Sequence, residues 1–257
     1  MRPESSVQGA RLEVSGLTKA FYGVRALDEV SFDVAGGELV GLIGPNGSGK
    51  TTAIDCISGF QDPDAGAVTL DGVSIFRKPP HLLTQRGLLR TFQSVRVFSS
   101  LSVRANLRTA ALGRLARRRR LAALVRRDRP WPGVDERIDE LLRAFGIAHH
   151  ADTPAGDLSY GQRKLVEFAA ACIFPPRLLL LDEPVAAVNP TIINVIRDWI
   201  VQMNAAGTTV LLVEHNIELV VGLCQRVVVL DHGVKIADGA PGEVMRLAAV
   251  QEAYFGR

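Results

Sequence analysis

The string Gly44-Pro45-Asn46-Gly47-Ser48-Gly49-Lys50-Thr51-Thr52 fits G-x-x-x-x-G-K-[ST], a spacing that cradles phosphates. Its glycines let backbone N–H groups turn inward around an anion, and a following helix N-terminus adds partial positive charge. Lys50 offers a point charge to the outer phosphates, and Thr51 a hydroxyl to their magnesium ion. A second constellation follows the apolar run Leu178-Leu179-Leu180-Leu181, which ends in the carboxylate pair Asp182-Glu183. A buried strand puts Asp182 at its end, where it can orient magnesium through the ion's water shell. Glu183 points elsewhere and can polarise an attacking water as general base. Alone, an acidic pair after a strand reads better as a helix cap or loop charge. Coupled to the phosphate loop, it implies binding and hydrolysis of a nucleoside triphosphate.

The elements around these residues have the order that the chemistry needs. Glu38–Ile43 is an apolar run fit for a buried strand, and a helix can open at Thr52. Further strands are expected at Arg11–Ser15, Val30–Val34 and Ala67–Leu70, the last with a turn at Asp71-Gly72. From Leu101 to about Gly146 the pattern is helical, broken by Pro130-Trp131-Pro132-Gly133, with Val134–Phe145 as one helix. Tyr160–Phe174 reads as another, ended by Pro175-Pro176. Strand and helix then alternate: Arg177–Leu181, Pro190–Ala206, Thr208–Val213, Asn216–Cys224 and Arg226–Leu230. Asn189 and Pro190 suit the N-cap and first position of their helix. The expectation is an α/β fold with a parallel sheet, an antiparallel β portion, and a helical subdomain near residues 88–165. Residues 1–10 read as an N-terminal extension of one domain spanning 11–257.

The 257 residues carry a net charge of +3, but the charge is concentrated. Eight arginines against Asp128 between Arg114 and Arg129 give +7 locally, leaving −4 for the rest. A nucleic-acid protein spreads its basic face and adds stacking aromatics, which are only 6% here. The tract reads as a solvated helix face, or more sharply as a contact for anionic lipid headgroups. No run of 18 apolar residues and no secretory leader is evident. Cys56, Cys172 and Cys224 are scattered in apolar surroundings, as buried thiols in a reducing compartment would be.

With these residues in order, the chain resembles the ATP-binding-cassette ATPases over nearly its whole length. Leu158-Ser159-Tyr160-Gly161-Gln162 resembles the family signature LSGGQ, with tyrosine at the third place. Gln93, in Arg90-Thr91-Phe92-Gln93, matches the glutamine that senses metal and γ-phosphate and links them to a membrane partner. His215 matches the switch histidine, and Phe21 falls where the family stacks a ring on adenine. The strings RTFQSVRVFSSLSVRANL, LSYGQ, VEHNIELV and AYFGR are similar to ATPases of branched-chain amino acid importers. Asn189 departs from the usual aspartate of the D-loop, and Ala187-Val188 from the commoner Gly-Leu.

The resemblance implies a P-loop ATPase core using ATP and Mg2+. Gly44 to Thr52 and Phe21 would bind the nucleotide, and Thr51, Asp182 and Gln93 the metal. Glu183, His215 and Gln93 would be catalytic. Ser159, Gly161 and Gln162 would reach the ATP held by a second cassette subunit, a related paralogue rather than a self-copy. Two integral membrane permeases and, indirectly, an external solute-binding protein are the implied partners, without nucleic acid. The implied place is peripheral, on the cytoplasmic face of the inner membrane, powering uptake of branched-chain amino acids or related small polar solutes. The alternatives are an exporter ATPase of the lipopolysaccharide-extraction type and a soluble ATPase for iron–sulfur assembly.

Overall fold

Strands covered on both faces read as continuous apolar runs. Three runs are buried at every position: β3 (Leu39–Ile43), β7 (Leu178–Asp182) and β8 (Thr209–Val213). They form the middle of a six-stranded sheet of order β10-β9-β3-β8-β7-β6, with β6 at Leu88–Arg90, β9 at Arg226–Asp231 and β10 at Val234–Gly239. Every pairing from β9 to β6 is parallel, and β10 closes one edge antiparallel. A second sheet, β2-β1-β4-β5, is antiparallel throughout, from β1 (Leu12–Phe21), β2 (Val24–Val34), β4 (Ala65–Leu70) and β5 (Val73–Ser74).

The computed structural model describes residues 7–118 and 133–256. The side chains of 113–118 and Phe255 are outside that description, so the arginine side chains of the Arg114–Arg129 tract and the Pro130-Trp131-Pro132 break lie outside the described residues. The chain divides into two units. The first, Met1–Arg90, Pro176–Pro184 and Ile200–Arg257, holds both sheets and the helices α1 (Lys50–Ile57), α2 (Pro80–Gln85), α7 (Ile217–Leu223), α8 (Pro241–Val244) and α9 (Ala248–Phe255). Its core joins Leu12, Leu17 and Leu27 of the antiparallel sheet to Leu42, Leu180 and Leu211 of the parallel one. The second, Thr91–Pro175 and Val185–Trp199, contains α3 (Val103–Arg118), α4 (Val134–Ala144), α5 (Tyr160–Ala171) and the start of α6 (Pro190–Ala205). Trp199 anchors its core, with ring centroids 4.9 Å from Phe168 and 6.0 Å from Phe145. Among the described residues no helix is long and apolar enough to cross a membrane.

The differences from expectation have local causes. β1 continues past Ser15 to Phe21, and β2 begins at Val24 rather than Val30. Register shifts near Leu17 and Lys19, with Glu29 at a φ of 51°, interrupt the alternation by which a strand is recognised. β10 follows a tight turn in which His232 and Gly233 have φ of 44° and 80°. α5 stops at Ala171 instead of Phe174, because Phe174 precedes Pro175 and is pushed out of helical geometry. The three cysteines are buried, and burial pushes Cys56 and Cys224 up to about 12.

Candidate functional site

The phosphate loop leaves the buried strand β3 at Gly44 and enters α1 at Lys50. Glycine is required at both ends. A Cβ at Gly44 would fall 2.1 Å from Leu230 O, and one at Gly49 would fall 2.5 Å from Ala26 O. Gly49 caps α1 in the left-handed region at φ 101°, which turns the first helical N–H groups toward the loop. Asn46, Gly47 and Thr51 are exposed, Pro45 and Thr52 half-buried and Ser48 buried. Lys50 reaches back along the loop, its Nζ donating to Gly44 O and Pro45 O at 2.8 Å each. Burial lowers the Lys50 pKa, opposed by the nearby carboxylates of Glu183 and Asp182. A cavity of about 480 Å³ opens on the flank of the loop, lined by Asn46, Gly47, Ser48, Asp231, His232 and Glu252. Phe21 ends β1 exposed, with Lys19 Nζ 5.3 Å from its ring centroid.

The carboxylate pair ends β7, next to β8 and parallel to it. Asp182 is 4% exposed, and burial raises its pKa against the opposing hydrogen bond from Arg90. Glu183 follows in a strained left-handed conformation, φ 46°, with its N–H donating to Val213 O at 2.9 Å. His215, just past β8, brings Nδ1 to 3.8 Å from Glu183 Oε1. Its backbone is held by the fully buried Glu214, whose Oε2 accepts from the N–H groups of His215 and Asn216 at 3.1 and 3.2 Å. Lys50, Asp182, Glu183 and His215 thus gather in the α/β unit.

The helical unit carries Gln93, Ser159, Gly161 and Gln162. Ser159 caps α5 in a reciprocal box: its Oγ accepts from Gln162 N–H at 3.3 Å, and Gln162 Oε1 accepts from Ser159 N–H at 2.9 Å. The cap leaves the Ser159 O–H donor to act outward. Tyr160 Oη donates to the carbonyl of Gln93 at 3.0 Å. Burial pushes Glu167, further along α5, up to about 7, against hydrogen bonds from the backbone N–H groups of Arg96 and Phe92. Asn189 Oδ1 accepts from Ile192 N–H at 3.0 Å, so the D-loop asparagine is the N-cap of α6.

One residue has a role that the motifs did not assign. Arg90, the last of β6, donates to Asp182 Oδ2 and Ser58 Oγ at 2.9 Å each and to Asp55 Oδ1, with Phe60 beneath its guanidinium. It ties the far end of α1 to the end of β7.

The donor set limits the metal. Thr51 and Asp182 supply a hydroxyl and a carboxylate, and among the described residues no three His, Cys, Asp or Glu side chains are grouped to hold an ion. That set fits Mg2+, which takes one or two protein oxygens and fills its octahedron with water and substrate phosphates.

Comparison with known proteins bears on the family and the fold. The family described as ABC transporter matches residues 27–186. The high-affinity branched-chain amino acid transport ATP-binding protein BraF of Pseudomonas aeruginosa is 36% identical over 249 residues, 95% of this chain and 97% of its own length. The lipopolysaccharide export system ATP-binding protein LptB of Escherichia coli is also 36% identical, over 96% of this chain and 98% of its own. The crystal structure of a nucleotide-free ATP-binding cassette from an ABC transporter superposes with a TM-score of 0.81 at 31% identity, covering 96% of this chain and 100% of that one.

Proposed function

This chain belongs to the ABC transporter family, and on that premise we propose that it is the ATP-hydrolysing subunit of an importer for branched-chain amino acids or related small polar solutes. As a member it is an ATPase whose hydrolysis is coupled to transport. Gly44 to Thr52 hold the phosphates of ATP, Lys50 leaving its loop carbonyls for them, and Phe21 stacks on the adenine. Thr51 and Asp182, with Gln93, would hold Mg2+, which when bound neutralises charge on the transferring phosphoryl group. Glu183 takes the proton of the attacking water. His215, 3.8 Å from Glu183 Oε1, orients that carboxylate and the γ-phosphate. Ser159, Gly161 and Gln162 offer the N-terminus of α5 to the ATP of a second cassette, a related paralogue, so each site is completed by dimerisation.

The remaining partners are two membrane permeases, on which the chain docks peripherally at the cytoplasmic face, and indirectly a solute-binding protein outside. The observation that carries the import reading is the likeness to BraF over 95% of this chain. A second reading, lipid export, draws on the equal identity to LptB. The two are separated by purifying the tagged chain with its permeases in detergent and reconstituting the complex in proteoliposomes. ATP-dependent uptake of labelled leucine, isoleucine or valine is the expected result. Extraction of lipopolysaccharide without such uptake assigns the second reading instead.

A further inference from the structure

Tyr160 occupies the signature position that is glycine in the more usual string, and glycine has no group that could do what Tyr160 does here. It is the first residue of α5, and its hydroxyl donates to the backbone carbonyl of Gln93 at 3.0 Å. Seven residues on, two turns along the same face, Glu167 accepts hydrogen bonds from the backbone N–H groups of Phe92 and Arg96. The Arg96 guanidinium lies 3.7 Å from the centroid of the Phe92 ring, and Lys164 Nζ lies 5.8 Å from that of Tyr160. Three backbone polar groups around Gln93 are therefore satisfied by side chains of one helix, in a segment that belongs to no strand or helix. The other end of this linkage is equally fixed. Ser159 precedes Tyr160 directly, and its capping box with Gln162 makes it part of the rigid start of α5.

We propose that Tyr160 and Glu167 latch the Gln93 segment to the signature helix, so that a displacement of Gln93 carries Ser159 and Gly161 with it. The proposal rests on the reading above, in which Gln93 meets the nucleotide of its own subunit and Ser159 that of the second cassette. Tyr160 is then a positioning residue that makes occupancy of one site felt at the surface presented to the other. The tyrosine ring alone does not suffice, because the link to Gln93 is the hydroxyl.

Hydrogen exchange on the full chain, with and without ATP and Mg2+, tests this by segment. Wild type is compared with Tyr160→Phe, Glu167→Ala and the double variant. In wild type, nucleotide should slow exchange at the phosphate loop, at the Gln93 segment and at the first amides of α5. In Tyr160→Phe the first two responses should persist, while the α5 response falls roughly two- to ten-fold, the range for one neutral hydrogen bond. The double variant should lose it altogether. An α5 response in Tyr160→Phe equal to wild type overturns the latch, as does its absence from wild type whose loop is protected. Absence of protection at the loop itself overturns the nucleotide-binding reading instead. If Glu167→Ala fails to fold, Tyr160→Phe, which removes one oxygen, still decides.

Discussion

Arg90 donates to Asp182 at 2.9 Å in a pair whose side chains are 5% and 6% exposed. A buried ion pair is tolerated where both charges find partners, and each loses heavily when the other is removed. Arg90 has further acceptors in Asp55 and Ser58, so one guanidinium joins α1 to the end of β7. Arg90→Met should therefore destabilise the protein by about 3–5 kcal/mol, because Asp182 is left buried without its ion-pair partner. Adding Asp182→Asn removes that charge and should restore part of the loss. Urea denaturation of the two single variants and the double provides the cycle. Additive losses would show that the pair does not act as a unit.

The carboxylate pair divides binding from chemistry. Glu183→Gln should keep ATP affinity while turnover falls roughly 10²–10⁴-fold, the usual contribution of a positioned general base. It should also accumulate an ATP-bridged dimer, visible by size-exclusion chromatography with Mg2+ and ATP. Near-normal hydrolysis by this variant removes Glu183 from the role of base.

Two further substitutions separate the nucleotide's own loop from the surface offered to a second cassette. Lys50→Ala removes the charge that lies at the loop and should weaken nucleotide binding by the monomer itself. Ser159→Arg leaves the loop untouched but puts bulk and charge at the start of α5. Monomer binding should survive there while cooperative turnover is lost. Titration with a fluorescent ATP analogue, alongside steady-state hydrolysis, distinguishes the two. Equal loss of monomer binding in both variants argues against a composite site.

The parallel sheet was legible because β3, β7 and β8 are continuous apolar runs, a pattern that burial on both faces demands. Phosphate loop and carboxylates could be read because each is a local string whose chemistry needs consecutive residues. Arg90 was not legible in the same way. Its partners Asp55 and Asp182 lie 35 and 92 positions away, and nothing local marks an arginine that three strand residues carry to them. The Tyr160 bond to Gln93, across 67 positions, is hidden for the same reason. The antiparallel sheet was half-read, since bulges at Leu17 and Glu29 shift the alternation partway along β1 and β2.

Glu167 gives the protein a pH dependence whose sign can be worked out. Its carboxyl is pushed up to about 7 by burial and titrates near its ordinary value of 4.5 when unfolded. Between these values the folded state binds more protons than the unfolded one, so stability falls as pH rises. The contribution is complete below the unfolded value and gone once pH passes the folded one, about 3 kcal/mol at most. Lys164 and Arg96 are the charged groups that favour its ionised form and so oppose the effect of burial. Glu167→Gln removes the titration while keeping a carbonyl acceptor for the Phe92 and Arg96 amides. Relative to wild type, the variant should gain stability from pH 5 to about pH 7 and level off toward pH 8. Urea midpoints measured at unit intervals across that range provide the check, and curves that stay parallel would show that Glu167 titrates alike in both states.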